Sequence, residues 1–305
     1  MSGCLAAALL ALSACTSPPR PVLPPDARLE LLWGDGEFTE GPALAPDGSI
    51  CFSDIGNRIL RFDPRTMAVT VYREPSGRSN GLKFDARGRL VACEGADSGG
   101  HRRLSITEPD GRIRTLADRW EGRRLNSPND LGIDPSGNIY FTDPRYGSQE
   151  DRELDFEGVF RVTPQGALTL ATRDVQKPNG IIITPDGRTA YVADTSSDPK
   201  GNHQLVAFTI APDGSFRDKR MLYDFGPDRR PIDGMALGPD GNLYSMAGTG
   251  EFAGLWVFGP GGERLGFLAT PGDPTNCCFG RDGRTLYITA KAGKKWGLYR
   301  LRLGF

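Results

Sequence analysis

The 305-residue sequence predicts an all-β fold, a six-bladed β-propeller, from a motif that occurs six times. Each copy begins at an oxygen-bearing side chain, continues as a short apolar segment, ends in a Gly-containing turn and is followed by a second apolar run. We call the oxygen-bearing residues the register residues: Glu40, Asn80, Asn129, Asn179, Asp233 and Asn276. The first five precede their turn glycine by eight residues and the sixth by seven. Successive turn glycines are 40 to 54 residues apart, which is the length of a four-stranded blade.

Composition supports the same fold class. The chain contains 40 glycines and 24 prolines, and short runs rich in Val, Ile, Tyr and Phe alternate with turn residues. We expect one closed domain over residues 27–305, because repeats of this kind bury their apolar faces only against one another. The 37 basic and 38 acidic residues give a net charge of -1 without a basic stripe, so the sequence offers no electrostatic support for a nucleic-acid partner. A small-molecule partner is favoured.

The chain start predicts export. Residues 1–14 are apolar, consist mostly of small residues, and form a run too short to span a bilayer, which is typical of a signal segment. Leu12-Ser13-Ala14-Cys15 resembles the lipobox at which bacterial lipoproteins are cleaved and lipidated, although no Lys or Arg precedes the apolar run. The alternative is a secretory peptide cleaved without lipidation. Either hypothesis predicts an exported protein, periplasmic or anchored to a membrane through an N-terminal lipid, with residues 15–26 as a linker.

The elements follow in order. The segment 27–33 predicts a strand that completes the last blade by pairing with GLYRLRL at 297–303, which would remove two exposed edges. The six blades are expected at about 37–76, 77–120, 125–174, 175–228, 229–270 and 271–305. Blade 3 carries an acidic insertion at 143–158 that contains Tyr146 and Phe156; it is interpreted either as a loop over the channel mouth or as a solvated surface loop.

The register residues predict a metal site. The first strand of each blade lines the central channel, so residues at one register in six blades converge at one level. They supply two carboxylates and four amides, and no His or Cys. Hard cations take six to eight oxygen ligands, which favours calcium, with magnesium, manganese and zinc as alternatives. Asn and Asp beside Gly are also common turn residues, and this is the competing interpretation of each single position.

Other motifs are less informative. His101 and His203 lie in loop-like contexts, and the sequence contains no G-x-S-x-G, H-E-x-x-H or P-loop motif. Asp residues that end second apolar runs are interpreted as turn and blade-packing residues. The adjacent Cys277 and Cys278 are expected to remain two thiols, because neighbours in a strand point to opposite faces.

From about residue 30 to the end, the chain resembles the family of senescence marker protein, gluconolactonase and luciferin-regenerating enzyme. The resemblance is carried by Thr39-Glu40-Gly41-Pro42 and by the stretches at 125–147, 178–187, 233–241 and 275–280. It implies a six-bladed propeller with one divalent cation bound by Glu40, Asn129, Asn179 and Asp233. It also implies Asp233 as proton acceptor, with Asp130 close by to orient ligands or water.

The same resemblance suggests the substrate contacts. Some members grip a sugar lactone with an Arg two residues before the matching Asn, whereas this chain has Ser127 there. The candidate substrate-binding residues are Asn80, Asn126, Ser127, Asn129, Tyr146 and Asn276.

The predicted activity is metal-dependent hydrolysis of a lactone. With the carbonyl polarised on the cation, water would attack, and Asp233 would accept its proton and return it to the ring oxygen, directly or through Asp130. Two alternatives remain: a related propeller that hydrolyses other esters or phosphotriesters, and an exported binding module without catalytic activity.

Overall fold

The computed structural model describes residues 22–95, 100–196 and 198–304. The predicted signal segment, Cys15 and the linker up to residue 21 lie outside the described residues. In the described part of the chain, six four-stranded antiparallel sheets follow one another as the blades of a propeller. The predicted all-β, six-bladed fold is therefore confirmed.

The strands of each blade run outward from the innermost strand. Blade 1 consists of β2 (Thr39–Leu44), β3 (Ile50–Asp54), β4 (Arg58–Asp63) and β5 (Ala68–Arg73). Blade 2 consists of β6 (Leu82–Phe84), β7 (Leu90–Glu94), β8 (Arg103–Thr107) and β9 (Ile113–Ala117). The short pair β10 (Arg119–Trp120) and β11 (Arg123–Arg124) follows. Blade 3 consists of β12 (Leu131–Ile133), β13 (Ile139–Asp143), β14 (Gly158–Val162) and β15 (Leu168–Thr172).

The second half of the chain repeats the plan. Blade 4 consists of β16 (Pro178–Ile183), β17 (Thr189–Thr195), β18 (His203–Ile210) and β19 (Phe216–Asp224). Blade 5 consists of β20 (Ile232–Leu237), β21 (Leu243–Ala247), β22 (Gly254–Phe258) and β23 (Arg264–Ala269), with a single 3-10 turn at Gly250–Phe252. Blade 6 consists of β24 (Pro274–Phe279), β25 (Thr285–Ala292), β26 (Lys295–Arg302) and β1 (Leu29–Gly36).

The N-terminal strand closes the ring, as predicted. β1 pairs antiparallel with β26, with Leu29 opposite Leu301 and Leu31 opposite Tyr299. The hydroxyl of Thr39 also donates to the Gly297 carbonyl at 2.9 Å, which joins blade 1 to blade 6. Because one blade is built from both ends of the chain, unfolding of either end opens the ring.

The core lies between neighbouring blades. One cluster joins Val91 and Leu104 of blade 2 to Leu131, Phe141 and Phe160 of blade 3. The four described cysteines, of which Cys51, Cys93 and Cys277 are buried, are thiols, as expected for Cys277 and Cys278.

The innermost strands β2, β6, β12, β16, β20 and β24 contact one another in a closed ring around the channel. Glycines after the register residues permit this close approach. A Cβ on Gly41, which has φ +50°, would lie 2.2 Å from the Asn80 carbonyl oxygen. A Cβ on Gly234 would lie 2.0 Å from the side-chain carbon of Asn276.

Candidate metal and active site

The register residues lie at the start of the innermost strands. Four belong to β2, β16, β20 and β24, whereas Asn80 and Asn129 precede β6 and β12 by two residues. Because the six strands run in the same sense around the channel, these side chains lie near one end of it. Asn80 is half-buried and the other five are buried. The site is therefore assembled from all six blades.

Glu40 and Asp233 are two buried carboxylates from blades 1 and 5 that influence each other. Burial is the largest cause of the raised pKa of Glu40, and the negative charge of Asp233 raises it further. Burial also raises the pKa of Asp233, although Arg230 and Asn179 act against this effect. Two carboxylates that are buried close enough to repel each other favour the binding of a proton or of a cation.

Asp130 is a third buried carboxylate of the site. Its Oδ1 accepts a hydrogen bond from the backbone N–H of Leu131 at 2.8 Å. Burial raises its pKa, and the charge of Lys83 opposes the increase. Its own charge contributes to the raised pKa of Glu40, which places Asp130 within electrostatic reach of the register residues.

The amides offer oxygen atoms to the channel. Asn276 accepts a hydrogen bond from the backbone N–H of Cys277 through Oδ1, at 2.8 Å, and its amide also lowers the pKa of Glu40. Asn80 and Asn129 are held through their backbones, with the N–H of Gly81 donating to the Asn129 carbonyl at 2.7 Å. Within the described residues, the side chains of Asn80 and Asn129 form no hydrogen bond that would occupy them.

Tyr146 reaches the site from the 143–158 insertion. Its hydroxyl accepts a hydrogen bond from Asn179 Nδ2 at 3.0 Å, and the Lys177 ammonium lies 4.8 Å from the ring centroid. Burial raises the pKa of Tyr146 well above its usual 10.0, so the phenol keeps its proton at neutral pH. Phe156 of the same insertion instead packs against Trp120, with ring centroids 5.5 Å apart. The insertion therefore contributes Tyr146 to the site and packs Phe156 against Trp120, whereas residues 147–151 are exposed.

Arg230 is a site residue that sequence reasoning missed. Its Nη2 pairs with Oδ2 of Asp233, and its Nη1 donates to the Pro274 carbonyl at 2.7 Å. Only its place three residues before Asp233 could have indicated this contact. The neighbouring Arg229 has nearly the same place in the sequence, yet its guanidinium lies 4.4 Å from the Phe252 ring centroid.

Buried aspartates at the ends of second strands hold the chain that approaches three register residues. These brace aspartates, Asp54, Asp143 and Asp194, each accept two backbone N–H bonds at 2.7 to 3.0 Å. The donors always lie three and two residues before the register residue: Glu37 and Phe38, Asn126 and Ser127, Gln176 and Lys177. The brace aspartates, interpreted from the sequence as turn and blade-packing residues, thus have a more specific role. They fix the backbone that leads to Glu40, Asn129 and Asn179 and so orient these side chains.

The brace explains where two predicted substrate contacts lie. Asn126 is fully buried, and its Nδ2 donates to the carbonyls of Asp143 and Phe156 at 3.1 and 2.9 Å. Ser127 is buried and bonded to Asp143 through its N–H. This placement of Asn126 indicates support of the loop, whereas Asn129, two residues after Ser127, enters the channel.

A cavity of about 320 Å³ adjoins the site. It is lined by Tyr146 and Arg230, which contact Asn179 and Asp233, and also by Thr195, Ser196 and His203 of blade 4. The cavity therefore lies next to the side chains that contact Asn179 and Asp233, although no register residue lines it.

The residues fit a hard cation better than a soft one. Among residues 22–95, 100–196 and 198–304, no group of three or more His, Cys, Asp or Glu side chains has the arrangement of a metal site. The donors here are instead the buried carboxylates of Glu40 and Asp233 and the side-chain amides of Asn80 and Asn129, which form no hydrogen bond within the described part of the chain. This is the oxygen-rich chemistry that calcium or magnesium prefers.

Buried carboxylates and amides at one end of the channel define the class of protein as a β-propeller with a polar site on its axis. The sequence profile of the SMP-30/Gluconolactonase/LRE-like region matches residues 38–292. The chain belongs to this family. Its gluconolactonase and lactonase relatives confirm the predicted enzyme class, a hydrolase acting on lactone ester bonds.

Individual proteins agree with this assignment. The gluconolactonase of Zymomonas mobilis is 33% identical over 291 residues, covering 86% of this chain and 78% of that protein. The solved gluconolactonase of Xanthomonas campestris is 33% identical with a TM-score of 0.80, covering 93% of this chain and 91% of that one. Regucalcin of Agrobacterium tumefaciens, described as a calcium-binding protein, shares the fold with a TM-score of 0.70 at 20% identity, over 88% of this chain and 90% of that one.

Proposed function

We propose that the protein is a gluconolactonase-like lactonase that depends on a divalent cation, calcium before magnesium, manganese or zinc. Glu40, Asn129, Asn179 and Asp233 would hold the ion. The observation that carries the proposal is the buried carboxylate pair of Glu40 and Asp233, drawn from opposite parts of the chain to one end of the channel beside uncommitted amides. When bound, the cation supplies a Lewis acid for the lactone carbonyl.

The remaining chemistry belongs to the protein's own side chains. Asp233 accepts the proton of the attacking water, and Asp130 serves as a second buried carboxyl group through which the proton can pass. The raised pKa of Asp130 suits this role, because a carboxyl group that binds a proton more readily is the better base. Tyr146 keeps its hydroxyl proton and can donate a hydrogen bond to a substrate oxygen at the neighbouring cavity.

The substrate is proposed to be a sugar lactone or a related cyclic ester. The gluconolactonases among the relatives support a sugar ring, and the Tyr146 hydroxyl and the Arg230 guanidinium at the neighbouring cavity could contact its hydroxyl groups. Ser127, at the position where some members have an Arg, argues for contacts that differ from theirs. Asn80, Asn129 and Asn276 are the amides proposed to contact the ring.

Chelation tests cation dependence. We expect EDTA to abolish hydrolysis of glucono-lactone, and added calcium to restore it and to raise the melting temperature, since the ion binds only the folded protein. A melting curve and a rate that are both indifferent to EDTA would contradict the proposal.

A substrate panel tests the activity itself. Sugar lactones, aliphatic lactones, an aryl ester and a phosphotriester are compared with the calcium-loaded protein. We expect the highest kcat/KM for a sugar lactone. A preference for the phosphotriester would support the related-esterase alternative, and no turnover of any ester with calcium bound would support the binding module.

We further propose that the protein is exported, with Cys15 lipidated. The support is the apolar segment 1–14 and the lipobox-like Leu12-Ser13-Ala14-Cys15. Cell fractionation of the wild type and Cys15→Ala tests this: wild type in the membrane fraction and variant released from it would support lipidation. Both in the periplasm would support a secretory peptide without lipid.

A further inference from the structure

Arg230 is fixed above the candidate metal site from both sides. Its backbone carbonyl accepts a hydrogen bond from the N–H of Gly248 at 2.9 Å, within blade 5. Its guanidinium reaches across to blade 6, where Nη1 donates to the Pro274 carbonyl at 2.7 Å. Nη2 of the same group pairs with Oδ2 of Asp233. The side chain is thus held by two contacts and the backbone by a third, and the side chain remains 28% exposed.

This ion pair is distinctive among the register residues. Within the described residues, Asp233 pairs with Arg230, whereas Glu40 forms no ion pair with any Lys, Arg or His. The guanidinium therefore already offsets one of the two negative charges that a divalent cation would neutralise.

We infer that Arg230 is a built-in counter-ion of Asp233 that competes with the metal. This inference rests on the proposed cation dependence. In the cation-free protein the guanidinium makes the buried carboxylate pair tolerable. When a divalent cation binds Asp233, the ion and the Arg230 guanidinium share one buried carboxylate, and like charges repel more strongly there than in water. Arg230 thus stabilises the cation-free state and weakens cation binding.

The substitution Arg230→Met separates the two effects of the guanidinium. It removes the charge and keeps a side chain of similar reach. We expect the variant to bind calcium about tenfold more tightly than the wild type does. The ion then no longer competes with the guanidinium for Asp233 and is no longer repelled by its charge. In EDTA, the melting temperature of the variant falls below that of the wild type, because Asp233 is left without a counter-ion.

Two further variants provide controls. Arg229→Met removes an equal charge one residue away, from a side chain that stacks on Phe252 instead of contacting Asp233. It should bind calcium with the affinity of the wild type to within about threefold. Arg230→Lys keeps the positive charge and should stay close to the wild type in calcium affinity even if the bond to the Pro274 carbonyl is lost.

The experiment is calcium titration by calorimetry, with melting curves in EDTA, on the wild type and the three variants. A merely structural role for Arg230 would lower stability with no gain in affinity. Tighter binding by Arg230→Met alone supports the inference. Equal or weaker binding by Arg230→Met overturns it and leaves the proposed function intact, whereas no calcium binding by the wild type overturns the proposed cation dependence and the inference together.

Discussion

At the scale of single residues, the candidate site is the place where several carboxylates are buried with too few positive charges to neutralise them. Glu40, Asp130 and Asp233 all have raised pKa values, with burial as the largest cause in each case. The described part of the chain brings only Arg230 into direct contact with them as an ion-pair partner. This shortage of positive charge is the physical basis for expecting a cation.

Asp233→Asn tests the assignment of the proton acceptor. Asparagine has nearly the same shape and can keep an oxygen toward Arg230, so the fold is retained, but it cannot accept a proton at neutral pH. We expect kcat to fall by about a hundredfold or more, in line with the loss of a general base. Steady-state kinetics and circular dichroism check both parts. Undiminished turnover in a purified, folded variant would refute the role of Asp233.

The raised pKa of Glu40 leads to a prediction of how the stability of the cation-free protein, measured in EDTA, depends on pH. Its pKa is higher in the folded chain than the usual 4.5, so the folded state binds the proton more tightly. The stability that this carboxyl group contributes is fully present below its pKa in the unfolded chain. It is lost as the pH rises through its pKa in the folded chain. We therefore expect the melting temperature of Glu40→Gln to exceed that of the wild type increasingly as pH rises from about 4 toward neutrality.

The matched control is Glu30→Gln. Glu30 is exposed and paired with Arg300, which lowers its pKa instead of raising it. This variant should gain no stability at neutral pH. A constant difference between Glu40→Gln and the wild type across the pH series would contradict the assignment of Glu40 as an uncompensated buried carboxyl.

At the scale of elements, the end of the second strand controls the start of the first. In blades 1, 3 and 4, a fully buried aspartate at that end binds the two N–H groups that lead to the register residue. A register side chain is therefore aimed by a carboxylate from the neighbouring strand of its own blade. Blade 5 uses a different device, in which the Gly248 N–H binds the Arg230 carbonyl.

Asp194→Ala tests the brace in blade 4. It removes the acceptor of the Gln176 and Lys177 N–H groups, both at 2.9 Å. We expect the free energy of unfolding to fall by about 3 kcal/mol, because hydrogen bonds to a charged acceptor are lost and buried donors are left unpaired. Calcium affinity should fall as well, since Asn179 follows two residues later.

Asp213→Ala is the control for the brace. Asp213 accepts the N–H of Ser215 at 2.9 Å in an exposed turn far from the register residues. Its loss should change the free energy of unfolding by less than about 1 kcal/mol. Equal losses in the two variants, measured by urea unfolding, would show that the brace has no special role.

The strands could be predicted well from the sequence because the same motif recurs in each of the six blades. The eight-residue offset from Glu40 to Gly48 and its counterparts locates every innermost strand and its turn. What it could not predict is contact across the channel mouth. Arg229 and Arg230 are adjacent and chemically identical, and only the fold decides that Arg230 meets Asp233 while Arg229 meets Phe252. In the same way, the burial of Asn126 depends on how the 143–158 insertion folds back over it.

At the scale of the whole molecule, closure depends on blade 6, where strands from the two ends of the chain meet. Gly297 of β26 lies so close to β1 that a Cβ on it would be 2.2 Å from the Trp33 carbonyl oxygen. The ring geometry in turn fixes the distance between blades 1 and 5, and hence between Glu40 and Asp233. Closure and the candidate metal site are therefore linked.

Gly297→Ala should disrupt the pairing of β1 with β26 that closes the ring. The added methyl group has no room against backbone, so we expect a loss of about 2 kcal/mol or more in the free energy of unfolding, together with weaker calcium binding. Glu30→Ala, on the exposed face of the same strand pair, removes only a surface ion pair and should cost less than about 1 kcal/mol. Denaturant unfolding with and without calcium distinguishes the two.

An anomalous difference map from crystals grown with calcium, or with a heavier analogue of it, would show directly whether the register residues bind a cation. We predict one strong peak on the channel axis, within bonding distance of oxygen atoms from Glu40, Asn129, Asn179 and Asp233, with a coordination position open to solvent. Density on the axis that is explained by water alone, at a calcium concentration that saturates activity, would contradict the central claim.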